Sequence, residues 1–197
     1  MLDGDTPFAL AVVGSAGSGK STIARVVARR ARAAYIDKDS VAGPLVDAAM
    51  QAQGQPLEVR ESNDFYRANL MPAEYEAVFA VACDNLQLGR PVVIDAPFAA
   101  YLSEPEFFEN AARNWPKVER FVLHVVASEE TTRARLHERG LPRDRAKLNN
   151  WNEFWSRWGQ PSIAWSGVHL MRLDNDESPD IEGVLAQLCG EHARRDS

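Results

Sequence analysis

Phe8-Ala-Leu-Ala-Val-Val13-Gly14-Ser-Ala-Gly-Ser-Gly-Lys20-Ser21 is the stretch on which the fold of this chain turns. Its first six residues are apolar without interruption. A half-exposed strand would alternate, so this run suits a strand of a parallel sheet covered on both faces. The glycine-rich turn that follows gives way to a segment with Ile23, Ala24, Val27, Ala28 and Ala31 on one helical face. Strand, glycine turn and helix in that order make the opening of a βα unit.

Working outward, the same alternation recurs. Ala34-Tyr-Ile36 is a short second strand ending in Asp37, and Val92-Val-Ile94 a third ending in Asp95. Residues 118–126 and 168–173 supply a fourth and a fifth. Between them, Tyr75, Val78, Phe79, Ala82, Cys83 and Leu86 recur at helical spacing until Gly89. Ser128 is placed as an N-cap with Glu129 and Glu130 in the first turn, where carboxylates meet free amides. Ser178-Pro179 opens a last helix with Ile181, Val184, Leu185 and Leu188 on its buried face. Gly43-Pro44, Gly54, Pro56 and Pro72 punctuate 40–72, where short helices and loops are expected. Strands alternating with helices predict a doubly wound parallel sheet.

Composition bounds the rest. The 197 residues suit one domain, and 45% hydrophobic with 25% charged residues reads as an ordinary globular chain. No apolar run nears the ~18 residues of a membrane span. The acidic start lacks the basic region of a signal peptide, and Cys83 and Cys189 have no metal or redox spacing, so a cytoplasmic protein is expected. Net charge is −6, and 35–118 carries 6 basic against 13 acidic residues. A polynucleotide partner calls for a basic face, so nucleic acid is not the expected substrate. The acidic balance suits a neutral or cationic partner, or simply a solvated surface.

Gly14 to Ser21 fits G-x-x-x-x-G-K-[ST] in the strand-to-helix setting that the motif requires. Gly17 and Gly19 let backbone amides turn inward around a polyphosphate, with Ser15 and Ala16 before them, Ser18 between them and Thr22 just beyond. Lys20 is placed to reach the β- and γ-phosphates of ATP, and the Ser21 hydroxyl to ligate Mg²⁺. Asp37 and Asp39 follow strand two at the carboxyl end of the sheet, where open α/β folds hold ligands. Asp95 closes strand three where a carboxylate holds Mg²⁺ through water. An Asx turn or a helix cap is the alternative reading of each Asp. Arg133, Arg135, Arg139, Arg143, Arg145 and Lys147 cluster around Gly140-Leu-Pro142. Arg139 and Arg143, flanking that turn, are the candidates to neutralise a transferring phosphoryl group, and Arg135 to contact the nucleotide.

These motifs resemble the P-loop small-molecule kinases, a group that includes gluconate, shikimate and adenylylsulfate kinases, chloramphenicol phosphotransferase and the polynucleotide kinase domain. The resemblance rests on the glycine loop, Asp37-x-Asp39, Val92-Val-Ile-Asp-Ala-Pro-Phe98 and Arg135-Leu-His-Glu-Arg-Gly-Leu-Pro-Arg143. It implies a P-loop NTPase α/β/α sandwich, a five-stranded parallel sheet of order 2-3-1-4-5, a lid at about 139–147, and MgATP. It further implies that Asp37 lies near the metal and Asp39 near the acceptor hydroxyl. The acceptor region is expected at about 40–72, with Asn63, Tyr66, Arg67 and Asn69 as candidate pocket residues. Trp151, Phe154, Trp155 and Trp158, with Trp165 beyond, either pack or form an aromatic wall over a ring. The expected activity is transfer of the γ-phosphate to the hydroxyl of a sugar, polyol or antibiotic-like alcohol. A 5′-hydroxyl polynucleotide or nucleoside kinase, and an ATP-switched binding module, are the alternatives. The oligomeric state is not legible.

Overall fold

Five apolar stretches pair into one all-parallel sheet in the computed structural model, which describes residues 7–57, 60 and 63–190 apart from the side chains of Pro142 and Arg143. The strands are β1 (Phe8–Val13), β2 (Ala34–Asp37), β3 (Val92–Asp95), β4 (Glu119–Val126) and β5 (His169–Asp174). Their spatial order is β2-β3-β1-β4-β5, as the resemblance to the P-loop kinases implies. All of β1 is buried, which is why it reads as an unbroken apolar run. At the edge, β5 buries only Met171 and Leu173 of its six residues, and its pattern alternates accordingly.

Helices cover both faces. Ala9, Ala11, Val13, Ile36 and Ile94 face α3 (Met71–Gln87) through Tyr75, Val78, Phe79 and Ala82. Leu10, Val12, Val93, Leu123 and Val125 face α1 (Lys20–Arg30) through Ile23, Ala24 and Val27. They also face Val184 and Leu188 of α8 (Ile181–Gly190). Alternation along each strand therefore assigns every second residue to one helical layer. Further helices are α4 (Phe107–Ala111), α5 (Glu129–Arg139), α6 (Pro142–Asn149) and α7 (Trp151–Trp158). Ser128 caps α5 by accepting from the Thr131 amide at 3.2 Å, with Glu129 and Glu130 in the first turn.

The stretch 40–72 departs from expectation. Instead of short pieces it begins with one 15-residue helix, α2 (Lys38–Ala52), with Gly43 and Pro44 inside it. Proline and glycine cost a helix interior about 3 and 1 kcal/mol. Against that, Lys38, Ala42, Val46 and Met50 recur every fourth residue and are buried. Burial of a Val or Met side chain is worth roughly 1.5–3 kcal/mol, so the packed face prevails over the punctuation. The next helix also begins before Tyr75. A π-helical turn, Tyr66–Leu70, runs straight into α3, and the Met71 amide donates five residues back to the Tyr66 carbonyl. Pro72 has no amide to offer the preceding turn, and the wider turn accommodates its ring.

Candidate active site

The loop between β1 and α1 owes its shape to two residues, Gly17 at φ +87° and Gly19 at φ +85°. A Cβ at Gly19 would also come 2.3 Å from Asn175 Nδ2. Ser15, Gly17, Gly19, Lys20, Ser21 and Thr22 line a cleft of about 200 Å³, closed on its other side by Arg135 and Arg139 from α5. Lysine, hydroxyls and two guanidinium groups thus meet where α1 begins, at the positive end of its dipole. This set fits a polyphosphate and its metal ion: a glycine cradle, one ammonium, and hydroxyls for a hard cation. Gly14 abuts the Val125 carbonyl of β4, Ser18 is fully buried within the turn, and Ala16 turns away into an aromatic cluster.

Two braces stand behind the loop, Arg135, expected from the sequence to contact the nucleotide, and Asn175, which the sequence does not single out. Asn175 follows β5, and its Nδ2 donates to the Ser18 carbonyl at 2.8 Å. Arg135 donates to the same carbonyl at 3.3 Å and to the Asn175 carbonyl at 2.7 Å. In sequence Asn175 sits within a polar Asp-Asn-Asp run that suits any turn.

The strand-end carboxylates come together. Asp37 and Asp95 are cross-strand partners, and both lie on the α1 side, two residues on from Tyr35 and Val93. The Tyr35 hydroxyl donates to Asp95 Oδ2 at 2.7 Å and lies 3.2 Å from Asp37 Oδ2. Burial, that hydrogen bond and the two negative charges push the Tyr35 phenol far above its usual range, so it remains a donor. Arg25 of α1 approaches Asp37 at 3.7 Å and lies over the Tyr35 ring. Asp37 also caps α2, its Oδ1 accepting from the Ser40 amide at 3.0 Å. Asp95 is only 4% exposed, whereas Asp39 stands exposed in the first turn of α2. Among the described residues no group of three or more His, Cys, Asp or Glu forms a metal cage.

Asp39 has a neighbour that the sequence reading passed over. Lys38 is buried, with Nζ 3.5 Å from Asp39 Oδ1 and 3.0 Å from Glu74 Oε1. Glu74 has no exposed side-chain surface; it also pairs with Arg60 and accepts from the Tyr66 hydroxyl at 2.6 Å. Burial and the bond to Glu74 hold the Tyr66 phenol well above its usual range. The available signal was an acidic residue on the apolar stripe of α3.

The remaining candidates divide. Tyr66 belongs to this buried network, and Arg67 is exposed within 4.0 Å of Asp64. Asn63 accepts from the Tyr66 amide and Asn69 donates to the Phe65 carbonyl, both serving the π-helical turn. Among the described residues that line the cleft, Asp37, Asp39, Asp95, Tyr66 and Arg67 do not figure. Arg143 lies in α6, and its side chain falls outside the described part. The tryptophans pack. Trp151 and Phe154 are buried with Leu136 of α5 and with Ala16 of the glycine loop, while Trp165 enters the core beside α3. Trp151 Nε1 donates to Glu129 at 2.6 Å.

A family model described as the AAA domain matches residues 10–161, three quarters of the chain including the whole cleft. The chain belongs to the AAA domain family. Around this AAA domain, solved structures repeat the same fold. A protein of Chloroflexus aurantiacus J-10-fl provisionally named a kinase is 19% identical, with a TM-score of 0.67 over 95% of this chain and 99% of that one. A sugar kinase of Janibacter sp. HTCC2649 gives 19% and 0.56, over 95% and 93%. A gluconokinase of Sinorhizobium meliloti 1021 gives 19% and 0.52, over 96% and 93%. At such identities the likeness shows that the AAA domain has the P-loop kinase fold. No curated protein matches it in sequence. Among its described residues no helix is long and apolar enough to cross a membrane.

Proposed function

We propose that this AAA domain is a cytoplasmic phosphotransferase that moves the γ-phosphate of MgATP to a hydroxyl of a small molecule such as a sugar, polyol or antibiotic-like alcohol. The observation that carries the reading is one cleft in which Lys20, Ser21 and the loop glycines face Arg135 and Arg139. In this reading the amides of residues 15–20 hold the β- and γ-phosphates, and Lys20 follows the charge of the transferred group. Mg²⁺, when bound, neutralises the phosphate oxygens, with the Ser21 hydroxyl as a ligand and Asp37 and Asp95 in its surroundings. Asp39 accepts the proton of the acceptor hydroxyl as its oxygen bonds to phosphorus and the bond to the ADP oxygen breaks. Arg139 stabilises the charge that builds on the equatorial oxygens.

Consumption of ATP against a panel of aminoglycosides, nucleosides, polyols and sugar acids tests this. One acceptor should raise ADP formation well above the water background, with mass spectrometry of the product showing one added phosphate. Lys20→Ala should abolish the gain without loss of fold. Acceptor-dependent turnover that persists in Lys20→Ala would show that the cleft is not where phosphate moves.

A further inference from the structure

The geometry points to Asp144 as a positioning residue that sets Arg139 for phosphoryl transfer. This rests on the reading of the cleft given above. Arg139 is the last residue of α5, and Asp144 lies in the first turn of α6, across Gly140-Leu-Pro142. Arg139 Nε donates to Asp144 Oδ2 at 2.8 Å and Nη2 donates to Oδ1 at 2.7 Å. Asp144 is 1% exposed, whereas the Arg139 side chain keeps 38% of its surface and lines the cleft beside Lys20 and Ser21. The carboxylate is therefore a fixed part of the fold, and the guanidinium is the part that reaches out.

A guanidinium has five N–H groups in one plane. The pairing with Asp144 uses two of them, on the Nε–Nη2 side, and leaves three for a second anion. It also fixes the plane, because two parallel bonds to one carboxylate allow no rotation. An exposed arginine without such a hold would have to be ordered as charge develops, losing rotamer freedom at that moment. Asp144 itself is steadied by its place at the amino end of α6, by Lys147 at 4.0 Å, and by its amide donating to the Leu141 carbonyl at 2.9 Å. The carboxylate therefore acts through Arg139 without contacting the phosphates. Sequestration is the opposite reading, in which Asp144 withholds the arginine from the cleft. The two predict opposite signs.

Single-turnover conversion of radiolabelled MgATP with enzyme in excess, water serving as acceptor, separates them, together with titration of MgADP. Asp144→Asn keeps the shape and loses the charge. Its conversion rate should fall about 10–100-fold, the usual effect of loosening a catalytic group, while MgADP affinity stays within about threefold. Asp144→Glu should recover part of the rate. The double variant Asp144→Asn/Arg139→Ala should be no slower than Arg139→Ala alone, because the two act as one unit. A conversion rate in Asp144→Asn equal to or above the parent's overturns the proposal, as does a double variant slowed by the product of the single effects. A parent that binds MgADP yet converts no ATP removes phosphoryl transfer itself, and the proposal with it. Thermal melting of each variant identifies any that fail to fold, and Asp144→Glu then carries the comparison.

Discussion

Asp37 and Asp39 are two residues apart, yet their surroundings differ. Asp37 is tied to the Ser40 amide, Arg25 and the Tyr35 hydroxyl beside Asp95, while Asp39 is exposed beside Lys38. Asp39→Asn should therefore bind MgATP nearly as the parent does and lose about 10²–10⁴ in transfer to the acceptor, the range for a positioned base. Asp37→Asn should weaken the Mg²⁺ dependence and leave α2 close to its parental stability, because an Asn amide oxygen caps a helix about as well as a carboxylate. Paired nucleotide titration and turnover on both variants test this; equal effects would refute the division. His124 on β4 offers a test by pH. Its Nε2 is buried without a partner among the described residues, and burial, aided by Arg172, holds its pKa below the usual value. The unfolded chain then binds a proton at this site at a higher pH than the folded one, so the stability tied to neutral His124 is full above about pH 6.5 and is lost as pH falls. His124→Phe should lose less stability than the parent between pH 7 and pH 5 in thermal melts, and an unchanged slope would refute this.

Among the elements, the junction of α2 with the π-helical turn and α3 depends on Glu74. Two cations and a phenol converge on one carboxylate with no exposed surface. Removing one partner of a buried ionic group leaves the others uncompensated, so Glu74→Gln should cost about 3 kcal/mol by urea unfolding. Adding Lys38→Met should return part of that loss, because the orphaned ammonium is gone. A cost below about 1 kcal/mol would mean the network is solvated. This junction was also the least legible part of the chain. Gly43-Pro44 and Pro72 are real breakers, but Lys38, Ala42, Val46 and Met50 outweigh them through contacts that periodicity alone does not price. The strands and the glycine loop were legible because a doubly covered strand and a phosphate cradle each demand a local pattern. Asn175 and Asp144 were not, since each works by reaching another element, Asn175 across 157 residues to Ser18.

For the whole molecule, the cleft predicts coupling between nucleotide binding and stability. MgATP at about 100 times its Kd should add about 2.7 kcal/mol, or roughly 5–10 °C in Tm for a chain of this size. Lys20→Ala should lose most of that rise while its own Tm stays near the parent's. An equal rise in both would place the nucleotide elsewhere. The packing of α7 carries a practical consequence. Ala16 of the glycine loop is seated against a cluster containing Trp151, Phe154, Trp155 and Trp158, and Trp151 lies under the Arg133 guanidinium. Indole emission responds to the charge and mobility of its neighbours, so occupation of the loop should reach this cluster of chromophores by contact. The protein is thereby its own optical reporter. Titration with nucleotide, excited near the red edge of tryptophan absorption, reads the filling of the cleft with no label attached, and Trp151→Phe dims that signal while the cleft still fills.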